Sequence, residues 1–413
     1  MSVRRGLAAW TAGTVYAVSA AACCVLAARS RADFVDLHVY RMGGAAVLHG
    51  GRLYELGYFR LPFTYPPFAA MVFAVLAVVP WKVAVAVLTG ASVVALPAAL
   101  YLALRLSGPA RQARERAWTL ALTAAAAAIW LEPARATLGY GQVDILLTMA
   151  VLYDLSLPDT ARPKGAMIGV AAGIKLTPAI FVVYLLITGR RRAATIAAAA
   201  FAGTVAAGFA VLPVSSAWFW AGPFASPGHV SPVQNPQNQS LYGALARVMH
   251  TAHVLPVWLL LATAAAVAGL ALATAASRRG DEALGFSLCA VTGLLISPIS
   301  WIHHWVIVIP ALLVAGLSAG RAYRAGKVAA AVLVTAAIAA IAVIGWTQLA
   351  GDTPHSGWLA LPAWALVRSV SYVLVGLAVL VGVACNQLRS ALSGRHRERR
   401  VSGARLRLPH YPP

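Results

Sequence analysis

Acidic side chains are scarce in this sequence. Only 12 of the 413 residues are Asp or Glu, against 33 Lys and Arg, and 60% of the chain is hydrophobic. So little polar surface cannot coat a soluble globule of this length, which means that most of the chain must lie in lipid. The basic excess does not indicate nucleic-acid binding, because the Lys and Arg residues fall in short segments between apolar runs, where they set membrane orientation.

Cysteines are few, and phosphate-binding loops are lacking. The four cysteines, Cys23, Cys24, Cys289 and Cys385, lie in or at the ends of apolar segments and form no CxxC pair. We interpret them as small core residues. The sequence has no Gly-rich phosphate loop and, in the segments assigned below to the outer side, no carboxylate cluster for a divalent ion. We therefore expect no metal and no cofactor.

Apolar stretches run through the chain, and six of them approach or exceed the roughly 20 residues that a membrane helix requires. They cover residues 7–28, 83–104, 193–212, 254–276, 329–346 and 361–385. Three shorter stretches, at 118–131, 143–155 and 284–296, each border a polar motif with Pro or Gly. Short or broken helices beside polar motifs are typical of cavities in membrane proteins. The pattern predicts an all-α membrane protein in which residues 1–388 form a single polytopic domain.

Arg-rich segments predict the orientation, because such segments stay on the cytoplasmic side. They lie at 105–116, 162–164, 190–192, 278–279 and 321–327, and in a basic tail at 389–413 that we expect to be disordered. The interval 165–188 then has both ends inside and must be a hairpin of two partial helices, broken around residues 175–178. The result is roughly twelve membrane segments with both termini in the cytoplasm. The polar loops on the outer side are 29–81, 132–142, 213–253 and 347–362.

The first outer loop carries two closely spaced carboxylates, Asp33 and Asp36. They begin a mildly amphipathic stretch that runs to His49, and their spacing places both on one face of a surface helix. Two interpretations stand: one of them performs chemistry, or an aspartate caps the positive end of the helix. The prolines and aromatics at 61–68 exclude a regular helix, so this segment forms either a rigid lid or a purely structural loop.

Three charged residues lie where a membrane makes charge costly. Glu132 and Arg135 precede the motif at 140–142 between two short apolar stretches, and an ion pair between them is the structural alternative to a role in a site. Lys175 sits between apolar half-helices, where its ammonium requires a partner. A phosphate is one such partner, and a cage of backbone carbonyls at the hairpin break is the other.

Amides and imidazoles mark two further outer motifs. Residues 235–240 contain closely spaced amide side chains suited to sugars, with an N-glycosylation sequon at 238–240. The segment 297–305 places His303 and His304 next to a helix-breaking proline. Two adjacent His on a helix point in different directions and make a poor metal pair, so we expect one of them to face a cavity.

Six motifs, in order along nearly the whole chain, resemble those of a known family. They occupy residues 34–40, 61–68, 140–142, 173–178, 238–240 and 295–305. Together they are similar to the polyprenol-phosphate-mannose-dependent α-(1→2)-mannosyltransferases of actinobacteria, which have the C-type glycosyltransferase fold. The resemblance implies that Asp36 is the catalytic base and that His303 or His304 belongs to the active site. Members of this family often have Asn where this chain has Asp144.

The resemblance also implies a reaction at the outer face of the cell membrane. Mannose would pass with inversion from polyprenyl-phosphate-mannose to a mannosylated glycolipid such as a phosphatidylinositol mannoside. Because a departing lipid phosphate is a stable anion, one base and cations for the released charge suffice. Lys175 and Arg135 are the candidates for the donor phosphate, together with one of the two histidines. We expect substrate contacts from Asp33, His38, Tyr40, Tyr65, Gln142, Asn238, Gln239 and Trp301.

A flippase or transporter for a lipid-linked sugar is the alternative. It would bind the same lipid without making a bond, and it would share the helices, the intramembrane Lys175 and the aromatic loop. The lack of a two-fold internal repeat and the surface helix that carries Asp36 favour the transferase. An inert scaffold for envelope assembly fits less well, because the polar motifs concentrate on one face.

Overall fold

The computed structural model describes residues 2–29, 33–55, 57–58, 61–107, 114–222, 232–324 and 357–387. Over these residues the protein is almost entirely helical. The strands β1 (Gly57–Tyr58) and β2 (Leu61–Pro62) form a two-residue antiparallel pair, with Gly57 opposite Pro62. The all-α class expected from the sequence is therefore confirmed.

The α-helices before residue 325 are labelled in chain order. They are α1 (Ser2–Ala28), α2 (Val35–His49), α3 (Pro67–Val78), α4 (Trp81–Leu106), α5 (Arg114–Ala128), α6 (Glu132–Tyr140), α7 (Asp144–Ser156), α8 (Ala166–Ile174), α9 (Ile180–Ile187), α10 (Arg191–Val211), α11 (Pro213–Ala221), α12 (Leu241–Val248), α13 (Leu255–Arg278), α14 (Glu282–Ile296) and α15 (Ile309–Arg324). Two 3-10 helices, Thr177–Ala179 and Ile302–Val308, and a C-terminal pair, Ala363–Ser369 and Ser371–Gln387, are also present.

Within the described residues, four helices are long and apolar enough to cross a bilayer: Gly6–Ala28 within α1, and α4, α10 and α13. Two bent pairs bring the number to six if each is one span, namely α5 with α6, bent by 77°, and the C-terminal pair, bent by 57°. Outward side chains such as Val94 and Leu260, which are 71% and 70% exposed, suit contact with lipid. The prediction of roughly twelve segments is not established by these residues, and the expected span 329–346 and tail 389–413 lie outside them.

The hairpin predicted at 165–188 is present as α8, the 3-10 turn Thr177–Ala179 and α9. Pro178 has no amide hydrogen, so an α-helical hydrogen-bond ladder cannot run unbroken through this point. The helix α8 ends before Lys175, whose backbone is extended at φ −147° and ψ 129°. Membrane proteins tolerate such a break where the exposed backbone lines a cavity.

The segment 132–142, expected as a connection, is different in the structure, because Glu132–Tyr140 forms the helix α6. Pro133 lies in its first turn, where the missing amide hydrogen removes no intrahelical bond. The helix ends at Gly141, which has a left-handed backbone with φ 71°. The chain therefore continues as a helix after a 77° bend between α5 and α6, where a loop had been predicted.

Small residues allow α8 to pack directly on α10. A Cβ atom added to Gly169 would lie 2.2 Å from the carbonyl oxygen of Ala197, and one added to Gly173 would lie 2.2 Å from Oγ1 of Thr204. Small residues at four-residue spacing are a common means of close helix contact in membranes. This contact fixes the end of α8 and with it the position of Lys175.

Gly169→Ala is expected to destabilise the protein. Its methyl group would meet backbone rather than a movable side chain, and overpacking of this kind costs about 1–3 kcal/mol. The matched control is Gly203→Ala on α10, where nothing lies within 4 Å of the added Cβ and alanine favours the helix by about 1 kcal/mol. Thermal unfolding of purified protein in detergent checks this, and equal Tm values for the two variants would contradict the close contact.

Candidate active site

A cavity of about 590 Å³ lies where the broken helices meet. Five of the six sequence motifs supply residues to its wall: 34–40, 61–68, 140–142, 173–178 and 295–305. Its wall includes Asp36, Lys175, His303 and His304, together with the amides Gln142, Asn235 and Gln237. The residues predicted to be catalytic therefore share one cavity with the lysine predicted to bind phosphate.

Asp36 stands in the first turn of α2, and its neighbours fix that turn in place. Phe34, the N-cap residue, has a left-handed backbone with φ 48°, and its amide donates to the carbonyl oxygen of Gly139 at 3.0 Å. Leu37 is fully buried against Gly141, where an added Cβ would lie 2.8 Å from the Leu37 Cβ. Glycine is required there for both space and backbone conformation. These contacts set α2 against the end of α6, so that Gln142 meets Asp36.

Gln142 connects the acidic and basic parts of the cavity. Its Nε2 donates to Oδ2 of Asp36 at 2.7 Å, and its Oε1 accepts hydrogen bonds from the hydroxyls of Tyr40 at 2.5 Å and Tyr65 at 3.0 Å. Nζ of Lys175 lies 3.5 Å from the same oxygen. These donors fix the orientation of the amide, because an oxygen must face them. The amide nitrogen is thereby directed at the carboxylate of Asp36.

Burial is the main influence on the protonation of Asp36. The helix α2, which carries this residue, lies outside the membrane-spanning helices but packs within the protein. Burial raises the pKa of the Asp36 carboxyl to about 6, while the hydrogen bond from Gln142 and the charge of Lys175 lower it and the charge of Asp144 raises it. A carboxylate in this range is a stronger base than an ordinary surface aspartate and is still ionised near neutral pH.

The partner of Lys175 is a carboxylate and not the cage of carbonyls considered above. Its Nζ lies 2.7 and 2.9 Å from the two side-chain oxygens of Asp144, and both side chains are buried. Nζ is also 5.5 Å from the ring centroid of Tyr65. The ammonium is thus held at the break between α8 and α9 with one side toward the cavity.

Both His303 and His304 line the cavity, although one alone was expected to face it. They stand at the start of the 3-10 helix Ile302–Val308, and their ring centroids are 4.7 Å apart with the planes at 81°. Among the described residues, neither ring nitrogen of His303 and not Nδ1 of His304 has a hydrogen-bond partner. Unpartnered imidazole nitrogens beside a lysine can donate to or accept from a bound ligand.

One group of side chains has donor atoms that suit a metal ion. Ligand atoms of Asp144, His303 and His304 lie within 4.8 Å of one another, and such a set is typical of zinc sites. Both oxygens of Asp144 already contact the ammonium of Lys175, however, and that positive charge opposes a divalent cation at the same carboxylate. The absence of a metal stays a prediction from the sequence.

Two residues expected to bind substrate lie away from the cavity wall. Asp33 is exposed and precedes the N-cap residue of α2, which makes no side-chain cap hydrogen bond. The capping interpretation is therefore wrong, although the positive end of α2 still favours the Asp36 carboxylate. The ring of His38 stacks between Tyr58 and Trp81, with centroid distances of 4.3 and 3.8 Å. Its role in the structure is packing of the first loop.

Tyr40 and Arg135 are also outside the described wall of the cavity. Tyr40 is fully buried behind Asp36 and acts on the site through Gln142. Arg135 is partly buried on α6. On the same helix, the Glu132 carboxylate accepts a hydrogen bond from the hydroxyl of Tyr372 at 3.0 Å. This bond links α6 to the C-terminal pair of helices.

The amides of Asn238 and Gln239, expected to contact sugar, are instead buried in backbone contacts. Asn238 Oδ1 accepts from the Ser300 amide at 2.9 Å, and its Nδ2 donates to the Pro298 carbonyl at 3.1 Å. Gln239 Nε2 donates to the Ser369 carbonyl at 2.6 Å. These side chains fasten the outer loop to two neighbouring segments and do not line the cavity.

Asn235 and Gln237 of the same loop do line the cavity and were not singled out by the sequence. The fully buried Arg247 holds the loop from behind, with N–H groups 2.8 and 2.9 Å from the carbonyl oxygens of Asn235 and Asn238. The closely spaced amides of 235–240 signalled that the loop mattered. The path of the backbone through this loop determines which of its side-chain amides face the cavity. Trp301, also expected to bind substrate, lies in the wall as predicted.

The apolar helices and the polar cavity suit a membrane-embedded enzyme, and the comparison with known proteins gives its class, a glycosyltransferase. Residues 63–298 match Glycosyltransferase family 87. The chain is 39% identical over 293 residues to the "Polyprenol-phosphate-mannose-dependent alpha-(1-2)-phosphatidylinositol pentamannoside mannosyltransferase" of Mycobacterium tuberculosis (strain CDC 1551 / Oshkosh). That match covers 68% of this chain and 66% of the relative, just under two thirds of its length.

A second relative is 36% identical over 318 residues and is covered to 70%, as is this chain. It is the "Polyprenol-phosphate-mannose-dependent alpha-(1-2)-phosphatidylinositol mannoside mannosyltransferase" of Mycolicibacterium smegmatis (strain ATCC 700084 / mc(2)155). The crystal structure of ArnT from Cupriavidus metallidurans bound to undecaprenyl phosphate aligns with a TM-score of 0.44 at 18% identity, over 91% of this chain and 71% of that one. The chain belongs to glycosyltransferase family 87.

Asn238→Ala is expected to lower the Tm of the purified protein, because it removes Asn238 Oδ1, the acceptor for the buried Ser300 amide. Such a loss costs about 1–3 kcal/mol. Asn235→Ala is the control in the same loop, since its side chain faces the cavity and accepts only a local bond from the Gln237 amide. A larger loss of Tm for Asn235→Ala than for Asn238→Ala would contradict this assignment of roles.

Proposed function

We propose that the protein transfers mannose from polyprenyl-phosphate-mannose to a mannosylated phosphatidylinositol glycolipid, with inversion, to form an α-(1→2) linkage. The observation that carries the proposal is the placement of Asp36 and Lys175 in one cavity with Gln142 between them. A base and a cation that contact the same amide in one cavity suit displacement of a phosphate by a hydroxyl. The activities in the names of its relatives support the same donor and acceptor.

The reaction needs one base and no acid. The acceptor oxygen forms a bond to the anomeric carbon of mannose, its proton passes to the Asp36 carboxylate, and the bond from that carbon to the phosphate oxygen breaks. The electron pair leaves on the phosphate, whose charge Lys175 and the imidazoles of His303 and His304 stabilise. In the described wall of the cavity Asp36 is the sole carboxylate. A glycosidase of the usual type requires two carboxylates, because its alcohol leaving group must be protonated.

The positions of the helix ends support an assignment of the side of the membrane. The helix α8 begins just after the basic residue Lys164 and ends before Lys175 at the cavity, and α14 begins just after Arg279 and ends at Ile296 in the cavity wall. The basic loops before α10 and α14 are joined by an ion pair of 2.7 Å between Arg190 and Glu282. Because basic loops face the cytoplasm, this arrangement supports an extracytoplasmic cavity.

Asp36→Asn is expected to lower the rate of mannosyl transfer by about 10²–10⁴-fold, the usual contribution of a general base. Asparagine preserves the shape of the side chain but accepts no proton. Transfer of radiolabelled mannose from polyprenyl-phosphate-mannose into a larger glycolipid measures the rate, with Tm as the check on folding. Asp33→Asn, which alters the exposed neighbouring carboxylate, should lose much less. Turnover like that of the wild type in Asp36→Asn would exclude Asp36 as the base.

The rate of transfer is expected to fall as the pH drops through about 6. Burial raises the pKa of Asp36 to that value, and only the ionised form accepts a proton. At pH 5 about a tenth of the carboxyl remains ionised, whereas an ordinary aspartate with a pKa near 4 would stay mostly ionised. A pH profile of kcat/KM, which reports the groups of the free enzyme, tests this.

Gln142→Leu also tests the assignment of the acidic limb of the pH–rate profile to Asp36. Loss of the hydrogen bond from Gln142 removes a stabilising influence on the carboxylate, so the acidic limb of the profile should move to higher pH as well as to lower rate. A limb that stays in place would show that another group controls the rate. A limb near pH 4 in the wild type would contradict the raised pKa of Asp36.

A further inference from the structure

The carboxylate of Asp144 makes the closest charge contact beside the cavity, yet the proposed reaction gives it no part. Its two oxygens lie 2.7 and 2.9 Å from Nζ of Lys175, and the two side chains are only 9% and 8% exposed. The cation that receives the donor phosphate therefore already has an anion against its other side. A buried lysine needs a counter-charge, but a carboxylate this close also acts on any anion that the lysine binds.

Few other positive groups near the cavity could bind that anion in place of Lys175. It is the one Lys or Arg in the wall formed by the described residues. Its Nζ also approaches Oε1 of Gln142 at 3.5 Å, and that amide donates to the second carboxylate, Asp36. The one fixed positive charge in the described wall thus has one carboxylate, Asp36, in the same wall and a second, Asp144, directly against it outside the wall. Attraction for an anion there is weaker than a lysine alone would provide.

The charge of the ligand changes during the proposed reaction. The donor is a phosphodiester with one negative charge. The lipid left behind is a phosphate monoester, which carries a charge of about −1.5 to −2 near neutral pH. Repulsion from a fixed carboxylate is proportional to that charge, so Asp144 penalises the product more than the donor. A site with Lys175 alone would do the reverse and hold the product more tightly.

We infer that Asp144 is a positioning residue that favours the phosphodiester donor over the phosphate monoester product and so promotes product release. The inference rests on the proposed function. Asp144 holds Lys175 at the cavity wall by contact with both of its oxygens, and it repels the doubly charged lipid phosphate once the sugar has left. Neither task requires Asp144 to touch the reacting atoms.

The test compares two lipids that differ in one charge, a C55 polyprenyl phosphate and its methyl phosphodiester, at pH 8 and fixed ionic strength. Their affinities for purified wild-type protein and for Asp144→Asn in nanodiscs are measured by titration calorimetry. The wild type is expected to bind the diester at least as tightly as the monoester. Asp144→Asn should bind the monoester roughly tenfold or more tightly than the wild type does, with a smaller gain for the diester.

Two variants serve as controls. Glu55→Gln removes an exposed carboxylate that pairs with Arg52 outside the cavity wall, and its lipid affinities should match those of the wild type. Asp144→Glu retains the charge and should keep the preference for the diester. In transfer assays, Asp144→Asn should show stronger inhibition by added polyprenyl phosphate and a lower kcat, and the KM for donor should fall together with kcat, because slower product release lowers both.

The outcomes separate the two claims. A wild type that prefers the monoester, or an Asp144→Asn variant with unchanged or weaker monoester affinity, overturns the role of Asp144 while transfer by the wild type leaves the proposed function intact. If Asp144→Asn does not fold, a wild type that prefers the monoester still overturns the role of Asp144. If the wild type neither binds these lipids nor transfers mannose, the proposed function fails and the inference fails with it.

Discussion

The hydrogen bond from Gln142 to Asp36 is the contact on which the rest of the site depends. One amide fixes the carboxylate at 2.7 Å on its nitrogen side, while its oxygen faces two tyrosine hydroxyls and the ammonium of Lys175. The separation of base and cation is therefore set before any substrate enters. Groups arranged in advance do not have to reorganise as charge moves, which is the main source of electrostatic catalysis.

The membrane explains why this contact lies at the ends of broken helices. Inside a bilayer every backbone group must be satisfied, so a turn is tolerated only where protein or an aqueous cavity receives its polar groups. The chain breaks at Lys175, between α6 and α7 at Gly141, and again after α14 at residues 297–301. These breaks meet at one cavity, and each delivers side chains to it. The fold thus gathers polar side chains and broken backbone at a cavity where they can be solvated.

Composition and charge were enough to predict the long helices and the hairpin, whereas the family resemblance singled out Asp36 and the two histidines that meet in the cavity. The spans α1, α4, α10 and α13 follow from apolar length alone, and the break before Pro178 follows from the missing amide hydrogen. The helix α6 was missed because the polar segment 132–142 was assigned to a loop, whereas Pro133 in a first turn can begin a helix.

The finer assignments required tertiary structure. In the loop 235–240 four residues carry amide side chains, and sequence cannot say that Asn238 is bonded to backbone while Asn235 faces the cavity. The partner of Lys175 was equally hidden, because Asp144 lies 31 residues away along the chain. Contacts between distant segments are fixed by helix packing, here by the close approach of α8 and α10, and no local pattern encodes them.

The scarcity of acidic residues and the chemistry of a phosphate leaving group fit one another. A charge inside a membrane protein is costly unless it is paired or solvated, so a site there can hold few of them. Hydrolysis of an ordinary glycoside would need two carboxylates at a set separation. Displacement of a lipid phosphate needs one base, because the leaving group departs as an anion and requires a cation instead of a proton. The proposed reaction is thus one that a cavity with Asp36 and Lys175 can perform, and Asp144 keeps that cation from binding the product too firmly.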